Sequence, residues 1–578
     1  MFKKLLGLIV CTCTCFMAMN FPVGSVLAQT GANENEVQTV NSEVFEQVGV
    51  SEDQLTFYHS SADNMRVENG NLVSTADGEQ KAMVKESVFS SRVMEIEFTV
   101  APETASGEIN HGVYFHAKDV KDSYQKIHAL NLQVVRGEGE GYYQIFLRSY
   151  LNNYIRDEQK TLKQIYAGGP IAVKLIVDEE EINVYLDDSN VPSMTKKRHN
   201  TTQSGTQIGF RANGAAGTIS DIRISSVAVK PEVPTVKFLM VGNSFSVDAM
   251  AYVHEVARAD GINLVAGVLY YGGCTLEQHN DFIFNRKNVY TYYKNGITDE
   301  PDVTFWDVIA DEDWDIVTFQ NPSTVAGLYD SWFPYIPRFL SMMETLYPEI
   351  EVGLHMTWVS PWFMEGQNNR KLANYNDSTD LAHSMNVSTH KRIIQEHGIS
   401  FVIPSGIAMM NMHGTPICDA TKMATSFCRD DTCHANEKGR YMLACTVYQT
   451  ITGHKVTGNT YAPYGATYGS DPGATAYERE IIHGVVDAVF QTGEYETLNW
   501  FGKTDELSHL TVSAPITRYK AGEYFQYNCL TVNAHYVDGR TEEVKLYTID
   551  IRRRLTKEDK EITVSYRGKQ VKIPIVVV

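Results

Sequence analysis

Val236-Lys237-Phe238-Leu239-Met240-Val241-Gly242-Asn243-Ser244-Phe245-Ser246 begins as an apolar run and ends in three small or polar residues, a phenylalanine and a second serine. The run has the length of a buried strand, and a helical pattern follows from Asp248. A serine is thereby set on the turn between the C-terminal end of a strand and the start of a helix. In open parallel sheets ligands bind at that edge, and the turn's backbone N–H groups can hold negative charge developing on a carbonyl oxygen. Working outward, apolar strand patterns at 262–270, 315–320, 351–357 and 400–403 alternate with helical patterns at 248–259, 332–346, 380–397, 437–452 and 475–491. Such alternation predicts a parallel sheet covered on both faces, a three-layer, flavodoxin-like α/β domain over 236–500.

Serine is a weak nucleophile until a base takes its proton. The candidate base stands far along the chain, in Asp430-Asp431-Thr432-Cys433-His434-Ala435-Asn436. Asp431 and His434 lie three apart on one loop just before a helix. The carboxylate can take one ring nitrogen and leave the other to face Ser244. Either motif by itself is common; both together, in this order around a βα alternation, point to nucleophilic catalysis. The competing reading of Ser244 is a helix N-cap, and that of His434 an ordinary loop histidine.

These blocks resemble those of the SGNH (GDSL-like) hydrolases. Gly242-Asn243-Ser244-Phe245-Ser246 is similar to the first block, with Asn243 where an aspartate is usual, and Asp431-Thr432-Cys433-His434 to the last. Gly272-Gly273-Cys274-Thr275 resembles the glycine block. The resemblance implies a Ser244–His434–Asp431 triad and an oxyanion hole formed by the N–H groups of Ser244 and Gly273. It also asks for an asparagine after the third strand. There the chain departs from the family's G-x-N-D and has Gln320-Asn321-Pro322-Ser323, so either Gln320 or Asn321 can bring the amide. No metal or organic cofactor is implied. Trp358, after the fourth strand, is a candidate sugar platform at the same edge, with a packing aromatic as its other reading.

The flanks are strand-like. Met94, Ile96, Phe98 and Val100 alternate with Val93, Glu95, Glu97 and Thr99, and Val173–Val177 and Ile182–Leu186 flank an acidic turn. Residues 38–229 therefore read as a β-sandwich resembling a concanavalin-like jelly roll, with carbohydrate binding as the implied role. Tyr142, Tyr143 and Tyr150 read there as packing residues. Residues 230–235, with two prolines, form a linker. Residues 505–578 return to strands and resemble a bacterial immunoglobulin-like module.

Met1–Ala28 reads as a secretory signal peptide, with Lys3 and Lys4 before an apolar stretch too short to span a membrane. Its removal takes the formal net charge from −20 to −22. That charge disfavours nucleic acid and anionic membrane surfaces as partners and suits neutral polysaccharide. Six cysteines remain, and Cys418, Cys428 and Cys433 allow a local disulfide; with His434 they match no common zinc spacing. The expectation is an exported esterase acting on a small ester, first of all O-acetyl groups of a polysaccharide. The alternatives are a degenerate esterase domain serving as a glycan-binding module, and a surface adhesin or spacer protein.

Overall fold

The computed structural model describes residues 45–578 apart from 59–63, 76–77, 104–106, 119–127, 138–141, 152–153, 161–163, 166–168, 199–204, 360–369, 376–378, 414, 416, 419–426, 430–433, 464–472, 492–506, 527–528, 538, 540, 545–546, 552–553 and 567–568. Residues 1–28, read above as a signal peptide, and Asp431 and Cys433 lie outside the described residues.

The molecule is multidomain. Its N-terminal region is β-sandwich-like, with two eight-stranded antiparallel sheets. The alternation in Met94–Pro102 turns Met94, Ile96, Phe98 and Val100 inward, while Glu95 and Glu97 on the other face pair with Lys174. The acidic turn closes the hairpin Ile171–Val177 and Glu181–Leu186 with Val173 opposite Leu186. Phe98 of one sheet meets Phe210 of the other edge-to-face at 6.3 Å. Tyr142, Tyr143 and Tyr150 are buried.

The central region is α/β. Its strands are β1 (Thr235–Gly242), β2 (Asn263–Tyr270), β3 (Tyr290–Lys294), β4 (Ile297–Val303), β5 (Ile316–Phe319), β6 (Glu351–His355) and β7 (Val402–Ile403). They form one sheet in the order β4-β3-β2-β1-β5-β6-β7. Five strands are parallel, but β3 and β4 run antiparallel on the β2 edge. The sheet is therefore mixed rather than parallel. What makes it mixed is the antiparallel pairing of β3 with β2; β4 then follows through a two-residue hairpin in which Asn295 and Gly296 both take left-handed φ (51° and 74°). The helices that position the site are α1 (Ser244–Met250), α2 (Val253–Ala259), α3 (Leu276–Phe284), α4 (Tyr335–Leu346), α5 (Thr379–His397), α6 (Ser405–Met412), α7 (Glu437–Thr452) and α8 (Ala476–Gln491). The single helix expected over 248–259 is thus two, and the first starts at Ser244.

The sandwich is braced against this region. Lys197 reaches Asp311 at 2.9 Å, and Lys294 binds both Asp311 (2.9 Å) and Glu312 (2.6 Å). Burial alone would raise both carboxyls, yet the lysines hold Asp311 and Glu312 below their ordinary range. Buried His254 of α2 spans from the Leu264 carbonyl to the Pro192 carbonyl of the sandwich, at 2.9 and 2.8 Å. The C-terminal region consists of small sheets, such as Leu507–Ser513, Thr531–Tyr536 and Thr541–Val544. It packs on α5, where the Ser384 hydroxyl donates to the Tyr547 carbonyl.

Candidate active site

In the order β2-β1-β5-β6-β7 the winding reverses between β1 and β5, the point at which open α/β sheets bind ligands beyond their C-terminal strand ends. Ser244 stands there as the first residue of α1. The cap of that helix is Asn243, whose side chain accepts the Phe245 N–H at 3.1 Å, so the serine hydroxyl is not the capping group. Gly242 ends β1 because the backbone is crowded: a Cβ there would run into the Ser246 hydroxyl and the Gln320 amide.

Under Ser244 lies a buried row of polar groups. Gln320 Nε2 donates to Asn243 Oδ1 at 2.7 Å, and Gln320 Oε1 meets His355 Nδ1. His355 Nε2 is 3.0 Å from the Ser405 hydroxyl. All four residues are 1% exposed or less. Burial, with His390 nearby, holds His355 to a pKa of about 3, so the ring is neutral. With Gln320 oriented this way, Nδ1 carries the ring hydrogen and Nε2 accepts from Ser405. Asn243 Nδ2 completes the row by donating to the Cys274 carbonyl at 3.2 Å, which ties the glycine loop to the serine turn.

Gly273, exposed on that loop, takes φ +64°, a conformation only glycine enters without strain. Among the described residues, the N–H groups of Ser244 and Gly273 donate to no other group of the protein. Burial pushes the thiol of the neighbouring Cys274 up, which removes it as a competing nucleophile. The two amides expected after the third strand are differently placed. Gln320 is spent on Asn243. Asn321 accepts the Leu276 N–H at 2.9 Å, and its Nδ2 faces the Ser331 carbonyl and hydroxyl at 3.3 and 3.2 Å.

From the opposite side, His434 brings Nε2 to 2.7 Å from Ser244 Oγ. The histidine sits on a short ribbon in which Arg429 N–H donates to the His434 carbonyl and Asn436 N–H to the Phe427 carbonyl. Asn436 then caps α7 by accepting the Gly439 N–H at 2.9 Å. Asp431, expected to orient His434, lies outside the described residues. So does Cys433, on which the zinc alternative depended; among the described residues no group of three His, Cys, Asp or Glu side chains could hold a metal ion.

Trp358 is fully buried and packs edge-on against Phe245 with centroids 4.3 Å apart; Phe245 in turn lies 6.0 Å from the His434 ring. That places the tryptophan beneath the serine turn, with no ring face open to a sugar. The sequence reading also passed over Asp248 and Arg440, a buried ion pair behind the site, and His355 and Ser405. The available signal was an acid one helical turn after Ser244 and an arginine within an otherwise apolar helical run.

No curated protein matches the chain. Among solved structures, a DUF4886 family protein from Bacteroides uniformis ATCC 8492 is 29% identical, over 46% of this chain and 98% of that one, with a TM-score of 0.40. The carbohydrate recognition domain of Emp46p, in its potassium-bound form, is 15% identical, over 31% and 90% of the respective chains, at 0.25. The carbohydrate-binding module CBM66 from Bacillus subtilis is 14% identical, over 29% and 94%, at 0.23. Residues 237–471 match the family model described as a domain of unknown function, DUF4886.

Proposed function

We propose that the central region is an SGNH-type serine esterase that hydrolyses small esters, in the first place O-acetyl groups of a polysaccharide. The observation that carries this reading is the 2.7 Å contact between His434 Nε2 and Ser244 Oγ at the strand ends where the sheet's winding reverses. Ser244 Oγ attacks the acyl carbon while His434 Nε2 takes its proton. His434 then returns the proton to the departing sugar oxygen, leaving an acyl-serine. A water molecule, deprotonated by the same nitrogen, attacks that ester; the acid departs and Ser244 regains its proton. Asp431 has the role of orienting the imidazole.

The unspent N–H groups of Ser244 and Gly273 are the first two oxyanion donors. For the third, the long Asn321 contacts favour Asn321 over Gln320, whose 2.7 Å bond to Asn243 holds the serine turn itself. In the same reading the sheet is flavodoxin-like, residues 38–229 are a concanavalin-like module with possible carbohydrate binding, 505–578 an immunoglobulin-like one, and the protein is exported.

A fluorophosphonate probe should label the wild-type protein and not Ser244→Ala. A folded wild-type protein that takes no label would refute the esterase. One observation favours the second reading, a glycan-binding module: both candidate amides are engaged within the protein. That reading requires binding on a glycan array that survives Ser244→Ala.

A further inference from the structure

We propose that Asp248 is a positioning residue for His434, setting the base against the nucleophile from within the nucleophile's own helix; this rests on the esterase reading above. Asp248 is one turn beyond Ser244 on α1, so its side chain lies on the same helix face. It is 1% exposed, and its partner Arg440, on α7, is 2% exposed. A carboxylate so far from water must be fully partnered. Arg440 supplies a two-pronged bond to Oδ1, from Nε at 2.8 Å and Nη2 at 2.6 Å. Oδ2 accepts the Ala435 N–H at 3.0 Å.

That last bond gives the carboxylate its role. The Ala435 N–H belongs to the peptide group whose carbonyl is that of His434, and the Arg429 N–H holds this carbonyl from the other side at 2.8 Å. Both ends of the peptide unit following His434 are therefore fixed. One end is anchored to the helix that begins with Ser244. Arg440 extends the anchor, because Glu437 Oε1 lies 3.7 Å from its Nη1 and the other Glu437 oxygen accepts the Tyr252 hydroxyl. Nucleophile and base come from segments 190 positions apart, and this carboxylate is a direct tie between them that does not involve the reacting atoms.

The test is a double-mutant cycle on p-nitrophenyl acetate hydrolysis by the full chain. Asp248→Asn keeps the shape and removes the charge that holds Arg440. It should lower kcat ~10- to 100-fold, the size of a roughly 1 Å misplacement of a catalytic group, with KM within about twofold of wild type. In a His434→Ala background the same substitution should change the residual turnover by less than about twofold, because its effect runs through His434. An equal loss in both backgrounds, or no loss in the first, overturns the proposal. Should Asp248→Asn fail to fold, Arg440→Lys keeps the charge but not the two-pronged bond. It should lower kcat ~3- to 10-fold, again only when His434 is present, and a wild-type kcat would overturn the proposal. Wild-type protein without Ser244-dependent turnover would instead remove the esterase reading itself, which sets that failure apart from this one.

Discussion

The two sides of the candidate site are built in opposite ways. On the nucleophile side, Ser244 follows directly from β1, and the turn is held by Asn243, Gln320 and His355, which come from the ends of three strands of one sheet. On the base side, His434 rides on a two-stranded ribbon outside that sheet, and side chains from α1 and α7 fix it. A sheet end is positioned redundantly, by parallel ladders on both flanks of β1. A ribbon is positioned by the few bonds that reach it. Substitutions under the serine should therefore show mainly in stability, and substitutions behind the histidine mainly in turnover.

Three measurements sharpen or break that contrast. The largest effect is expected at Asn321, the amide on the nucleophile side that is assigned to the reaction. Asn321→Ala should lower kcat by ~10²–10³ on p-nitrophenyl acetate, the usual result of losing one oxyanion donor. Equal kcat in the variant and the wild type would take Asn321 out of the oxyanion hole.

The second concerns acid. His355 has a folded-state pKa of about 3, below the ordinary value near 6.5, so the unfolded chain binds the proton first. The stability tied to its neutral form is complete above about pH 6.5 and is lost progressively as the pH falls toward 3. Urea midpoints should thus drop between pH 6.5 and 4. His355→Gln should flatten the slope by up to ~1.4 kcal/mol per pH unit. An unchanged slope would mean that the row beneath Ser244 does not carry the acid sensitivity.

The smallest effect is expected at Gly273. A methyl group there meets no neighbour, but φ is +64°. Gly273→Ala should cost ~1–2 kcal/mol in thermal or urea unfolding, with kcat within a few-fold of wild type, since the backbone N–H remains. A collapse in kcat with unchanged stability would show that the loop's exact path matters more than its donor.

What could be read from the sequence follows the same division. The five parallel strands lie within a few residues of their expected places because each is a short apolar run bounded by polar turns. The Asn295-Gly296 pair is a strong hairpin signal, yet the flank before it is tyrosine-rich and the flank after it acidic, neither cleanly alternating, and the hairpin is absent from the sequence reading. Ser244 and His434 were legible as chemistry-bearing residue types in ordered blocks. The partner of Gln320 was not. Its bond to Asn243 spans 77 positions and depends on the parallel register that puts Val241 beside Phe319. Nothing in the residue types marks Gln320 as a brace rather than an oxyanion donor, and nothing marks His355 as neutral. Asp248 and Arg440 are 192 positions apart, and their pairing exists only once α1 and α7 are packed.

The hairpin at the β2 edge of the sheet has a consequence for crowding. A free strand edge is a template on which another chain can add its own strand. Here the outermost strand, β4, reads Ile297-Thr298-Asp299-Glu300-Pro301-Asp302-Val303. Pro301 has no N–H to offer, and three acids stand within four positions. Had the sheet stopped at β2, its border would have been Leu264-Val265-Ala266-Gly267-Val268-Leu269, an uncharged apolar ribbon of the kind that seeds aggregation. The two added strands replace that apolar border with one carrying Pro301 and three acids, a poorer template for a further strand.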